Sequence, residues 1–165
     1  MSPDELTRWG SHVTAYAFKC WGFGEEIALQ AMLDLPGGQE WVADLVRPWC
    51  AGRASMVYAD HVAPGCVILE LFRRTGDSVY LDAALQLAAL HSAYRGPKPH
   101  RPDLPALSTL IWVDCMAIDA PFLLRLAGVT GDSGWARLGV QAITGYAAAL
   151  EDPGTRGLFR HTYDT

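Results

Sequence analysis

Two stretches of this chain lie over one another with their glycines in register. VILELFRRTGDSVYLDAALQLAAL begins at Val67 and PFLLRLAGVTGDSGWARLGVQAIT at Pro121, and Gly76 falls over Gly131, 55 residues later. A weaker copy, ALQAMLDLPGGQEWVADLV, precedes them with Gly38 at its turn. Each unit reads as a helix, a tight glycine turn and a second helix running back, so each is an αα-hairpin. The first helix of each pair is the more apolar, with Val67, Ile68, Leu69, Leu71 and Phe72 in one unit and Phe122, Leu123, Leu124 and Leu126 in the next. Helices apolar on most sides belong inside a double layer, with their partners outside. Stacked hairpins of this kind build either an open solenoid or a closed α/α toroid.

The rest of the 165 residues follows the same pattern. Helical spacing predicts elements over Pro3–Ala17, Glu25–Leu35, Gln39–Cys50, Ala63–Thr75, Ser78–Ala93, Val113–Val129 and Gly134–Leu150. Gly and Pro punctuate them at LPGG, TGDS, RGPKPHRP, TGDS again and EDPGTRG. No strand pattern survives this reading, so the expected class is all-α, one helical domain over residues 1–165. The only long polar, Pro-rich loop is Gly96–Pro105, and a structured loop of that length in a helical domain is often functional.

Half of the residues are hydrophobic and 19% are charged, enough apolar material for a real core. A net charge of −5 argues against a nucleic-acid partner. Six indoles suit a protein that stacks on sugars or bases, although indoles more commonly fill cores. Cys20, Cys50, Cys66 and Cys115 lack CxxC spacing and sit in apolar helical contexts, so they read as buried reduced thiols. No signal peptide, membrane span, metal-ligand spacing or phosphate loop is visible, and the expectation is a cytoplasmic protein without metal or cofactor.

The chemistry gathers in LIWVDCMAIDAPFLLRLAGVTGD, Leu110 to Asp132. An otherwise apolar helix opens on Trp112 and Asp114. Asp near a helix start reads first as a cap. But Asp60 lies sixteen residues before Gly76 and Asp114 seventeen before Gly131. Two carboxylates thus fall at equivalent mouths of neighbouring inner helices, which favours a shared site. His61 follows Asp60 and is a candidate for sugar hydroxyls. Trp21 reads as a pocket wall or as core packing. Asp119 is turned to another face and reads as a partner for a polar group, His91 reads as structural, and Asp77 and Asp132 open outer helices, where Asp is favoured.

The blocks YADHVAPGCVILELFRRTGDSVYLDAA, IWVDCMAIDAPFLLRLAGVTGD and LEDPGTRGLFRHTYD resemble, in order, the glycoside hydrolase family 105 and 88 group. These are the unsaturated rhamnogalacturonyl hydrolases and their unsaturated glucuronyl relatives. The resemblance runs from about Trp21 onward, and the WVD block with its following P-F-L is its most specific part. It implies an (α/α)6 toroid of six hairpins and a substrate oligosaccharide ending in a 4,5-unsaturated uronic acid. It also implies Asp114 as general acid/base, Asp60 as second carboxylate, Trp112 as the aromatic beside the acid, and His161 and His100 near the sugar. The family's Met one turn after the acid is replaced here by Ile118.

The toroid implied has six hairpins, and the chain runs through about three and a half. A homodimer, or a C-terminal half, is therefore the expected partner. The alternative expectation is a non-catalytic, carbohydrate-binding remnant of the same helical hairpins.

Overall fold

A computed structural model of the chain describes residues 2–16, 22–52, 63–94, 97–100 and 104–164. Among these residues run α1 (Pro3–Thr14), α2 (Phe23–Met32), α3 (Gly38–Ala51), α4 (Gly65–Thr75), α5 (Ser78–Ser92), α6 (Asp114–Thr130) and α7 (Ser133–Leu150). The class is all-α, and the helices form stacked hairpins as the repeat requires. α4 packs between α2 and α6, while α5 covers α4 and rests against α3.

The two TGDS turns are built alike. Gly76 and Gly131 take φ of 72° and 73°, the left-handed region where glycine meets no steric penalty. The next residue then caps the following helix. Asp77 Oδ1 accepts from the Val79 N–H at 3.1 Å, and Asp132 Oδ1 from the Gly134 N–H at 2.7 Å. In the first hairpin the left-handed residue is Gly37, φ 72°, and not Gly38 as the alignment placed it. Gly38 is the first residue of α3 and answers a different demand. A Cβ there would lie 1.8 Å from the Met32 carbonyl oxygen.

The main core joins α2 to α6 through fully buried Leu29, Val42, Val46, Ile68, Leu71, Leu87, Phe122, Leu123 and Leu126. The α4–α6 contact depends on Gly65. A Cβ at that position would meet the Phe122 ring at 2.4 Å, so only glycine lets the ring sit there. Cys50, Cys66 and Cys115 are buried, and Cys20 lies outside the described residues. No helix among the described residues is long and apolar enough to cross a membrane.

The expectation of no strand is corrected by a small antiparallel pair, β1 (Leu110–Trp112) with β2 (Thr162–Asp164). Leu110 faces Asp164, Ile111 faces Tyr163 and Trp112 faces Thr162. Three residues are too few for an alternating pattern to register in the sequence. The pair sits over a second, smaller core of Ile111, Cys115, Ala142, Tyr146 and Leu150.

Candidate functional site

β1 runs directly into α6, so the residues ending the strand and those opening the helix share one corner of the fold. Three backbone contacts bring separate segments to that corner. The His100 N–H donates to the Leu110 carbonyl at 2.8 Å, the Val113 N–H donates to the His161 carbonyl at 2.9 Å, and β2 pairs with β1. The side chains follow. His100 stacks on Trp112 with ring centroids 4.2 Å apart and planes 10° from parallel. His161 meets the indole edge-on, at 5.5 Å and 86°. His100 is buried, Trp112 half-buried and His161 exposed, so the rings grade from the interior to solvent. The Trp112 indole N–H is buried without a hydrogen-bond acceptor.

Asp114 is the first residue of α6 and is half-buried. The N-cap position belongs to Val113, and no side chain caps this helix. The reading of Asp114 as a cap is thereby set aside: its carboxylate has no part in closing the helix end. Of the seven candidate site residues, the structure gathers His100, Trp112, Asp114 and His161 around one corner. Asp60, His61 and Trp21 lie outside the described residues.

Two buried arrangements near the helix mouths were not anticipated as such. Glu26, on α2, has no exposed surface, and its Oε1 accepts from the Cys66 N–H at 2.8 Å. Burial pushes the Glu26 carboxyl up to about 7, against the hydrogen bond from Cys66, which favours the anion. The spacing Glu26, Leu29, Leu33 already sets it on the buried stripe of α2, and that was the available signal. Asp119 is the second. Its Oδ2 accepts from the Tyr146 hydroxyl at 2.6 Å and stands 3.3 Å from His91 Nε2, all three side chains being fully buried. This agrees with the reading of Asp119 as a polar partner and of His91 as structural. A cleft of about 470 Å³ between α2, α4 and α6 is lined by none of the four gathered residues, and Arg73 and Arg74 on its wall are paired with Glu70 and Asp34.

The family model described as Glycosyl Hydrolase Family 88 matches residues 38–165. The chain belongs to that family. No curated protein matches it. The family match spans Asp60, His61, His100, Trp112, Asp114 and His161 and leaves Trp21 outside it. Membership in Glycosyl Hydrolase Family 88 makes the chain a glycoside hydrolase by descent and agrees with the stacked helical hairpins.

Proposed function

We propose that this family 88 chain hydrates the 4,5-unsaturated uronic acid at the non-reducing end of pectin- or glycosaminoglycan-derived oligosaccharides, with Asp114 as general acid/base. One observation carries the reading. Three rings from three separate segments converge at the mouth of the helix that opens on Asp114, a carboxylate with no capping duty. Stacked aromatic and imidazole faces suit a sugar ring, and a carboxyl group beside them suits proton transfer to it.

The substrate is an enol ether, so the reaction starts at its double bond. The Asp114 carboxyl gives its proton to C4, and positive charge develops at C5, where the ring oxygen supports it. The carboxylate left behind takes a proton from water as the water oxygen bonds to C5. The hemiketal so formed opens by breaking the bond between C5 and the ring oxygen, and the hemiacetal exposed at C1 releases the neighbouring sugar. One carboxyl group that gives and then retakes a proton is sufficient. Asp60 is assigned as the second carboxylate, and Trp112, His100, His161, His61 and Trp21 as substrate-binding residues. The hairpins in this reading are part of an (α/α)6 barrel, completed by a second copy or by a C-terminal half.

The test uses an unsaturated uronyl disaccharide, whose conjugated double bond absorbs in the ultraviolet. Loss of that absorbance with the wild-type chain, and its abolition by Asp114→Asn, is the expected result. Turnover unaffected by Asp114→Asn removes Asp114 from the role.

A further inference from the structure

The segment Pro97-Lys98-Pro99-His100 carries one of the rings proposed to face the sugar, and two backbone hydrogen bonds tie it to the helices and to β1. Pro97 and Pro99 have no backbone N–H. The N–H groups of Lys98 and His100 are therefore the only backbone donors this segment has. That of His100 goes to the Leu110 carbonyl on β1 at 2.8 Å. That of Lys98 goes to the Tyr146 hydroxyl oxygen at 3.0 Å. The hydroxyl in turn gives its own proton to Asp119 Oδ2 at 2.6 Å, with His91 behind.

A phenol and a carboxylate with no exposed surface are costly to bury, and packing alone would favour Phe at position 146. Burial, reinforced by the neighbouring Asp119, also holds the Tyr146 phenol far above its ordinary value, so it stays a donor to that carboxylate at every working pH.

We propose that Tyr146, oriented by Asp119, is a positioning residue for the site: it anchors Lys98 and so seats the His100 ring flat on Trp112. The inference rests on the reading above that this stack faces the sugar. Its first measurement does not depend on that reading.

In the wild-type chain the His100 ring protons should show upfield NMR shifts from the Trp112 indole, assigned by their loss in His100→Gln. Tyr146→Phe keeps the ring and removes the anchor. The expected result is that the His100 signals move toward those of a free imidazole, with KM for the unsaturated disaccharide raised about tenfold, as for one lost hydrogen bond, and kcat held within about threefold. A second variant pushes on the same segment from α7 without touching the network. A Cβ at Gly145 would lie 3.0 Å from Pro97 Cδ, so Gly145→Ala should displace the His100 signals in the same direction while leaving the melting temperature unchanged or higher. If Tyr146→Phe does not fold, Gly145→Ala decides alone. His100 signals unmoved in the folded variants, with only thermal stability lowered, overturn the proposal. If the wild type leaves the disaccharide intact, the proposed substrate fails and the ring signals still judge the anchor.

Discussion

Each hairpin has a turn end and a mouth end, and the two ends solve the same problem differently. A helix start leaves backbone N–H groups without partners. At the turn ends of α5 and α7 the residue immediately before the helix supplies the acceptor. Asp77 and Asp132 cap, while Thr75 and Thr130 accept from the Asp N–H at 3.2 Å and donate back to Leu71 and Leu126. At the mouth ends of α4 and α6 no side chain of the residue before the helix does this. α4 begins after Pro64 with no capping side chain, and the N–H of Cys66 is taken by Glu26 from α2. α6 begins at Asp114, and the Val113 N–H just before it goes to the carbonyl of His161, after α7 in the chain. The turn ends are made by four consecutive residues. The mouth ends are made by tertiary contacts, and they leave Asp114 free of a capping role.

Four substitutions sharpen that contrast, in descending order of effect. Asp114→Asn should lower turnover of the unsaturated disaccharide by about 10²–10⁴-fold, the size of a lost general acid/base, with the melting temperature unchanged. A fall in melting temperature with turnover intact would put Asp114 back among the caps.

Glu26 gives the mouth end a pH signature. Its folded value of about 7 lies above the ordinary 4.5, so folding is favoured while the carboxyl is protonated. That stability is fully present below about 4.5 and is lost as pH rises through about 7, up to about 3 kcal/mol. Thermal melts of the wild type should therefore fall across this window, and Glu26→Gln, which keeps an acceptor for Cys66 and cannot ionise, should flatten the curve. Equal slopes for both proteins would clear Glu26 of this role.

Gly65→Ala drives a methyl group into the Phe122 ring where the mouth ends of α4 and α6 meet, and should cost about 1–3 kcal/mol by chemical denaturation. An unchanged midpoint would mean that the contact yields freely. Asp132→Ala removes one local cap at a turn end, with an expected loss of about 1 kcal/mol and unchanged disaccharide turnover. A change in turnover there would blur the division between the two ends.

The same division explains what was legible in the sequence. The seven helices, the hairpin order and the caps at Asp77 and Asp132 depend on residues close in the chain, and their bounds agree with the structure to within about three residues. Gly37 escaped because two adjacent glycines leave their separate tasks undistinguished: one takes the left-handed backbone and the other admits the Met32 carbonyl. At the mouth, Trp112 and Asp114 stood out by type. The edge-on contact of His161 with Trp112 depends on β1 pairing with residues some fifty positions away, and the stacking of His100 on it depends on a hydrogen bond to Leu110 across a loop, contacts that no local pattern encodes. Asp119 read correctly as a polar partner, but the identity of Tyr146 as that partner needed α6 and α7 side by side.

The pairing of β1 with β2 also imposes an order of assembly. During synthesis the hairpin of α6 and α7 leaves the ribosome before Thr162–Asp164 does, and domains form from the N-terminal side first. Until β2 arrives, β1 is an unpaired edge with Ile111 packed on Tyr146 and Leu150, and Trp112 lacks one of its two imidazole neighbours. The helical scaffold can thus be complete while the corner around Trp112 is not. A nascent chain halted after Leu150 would carry Asp114 without His161, and the corner would close only as the final strand zips onto the first.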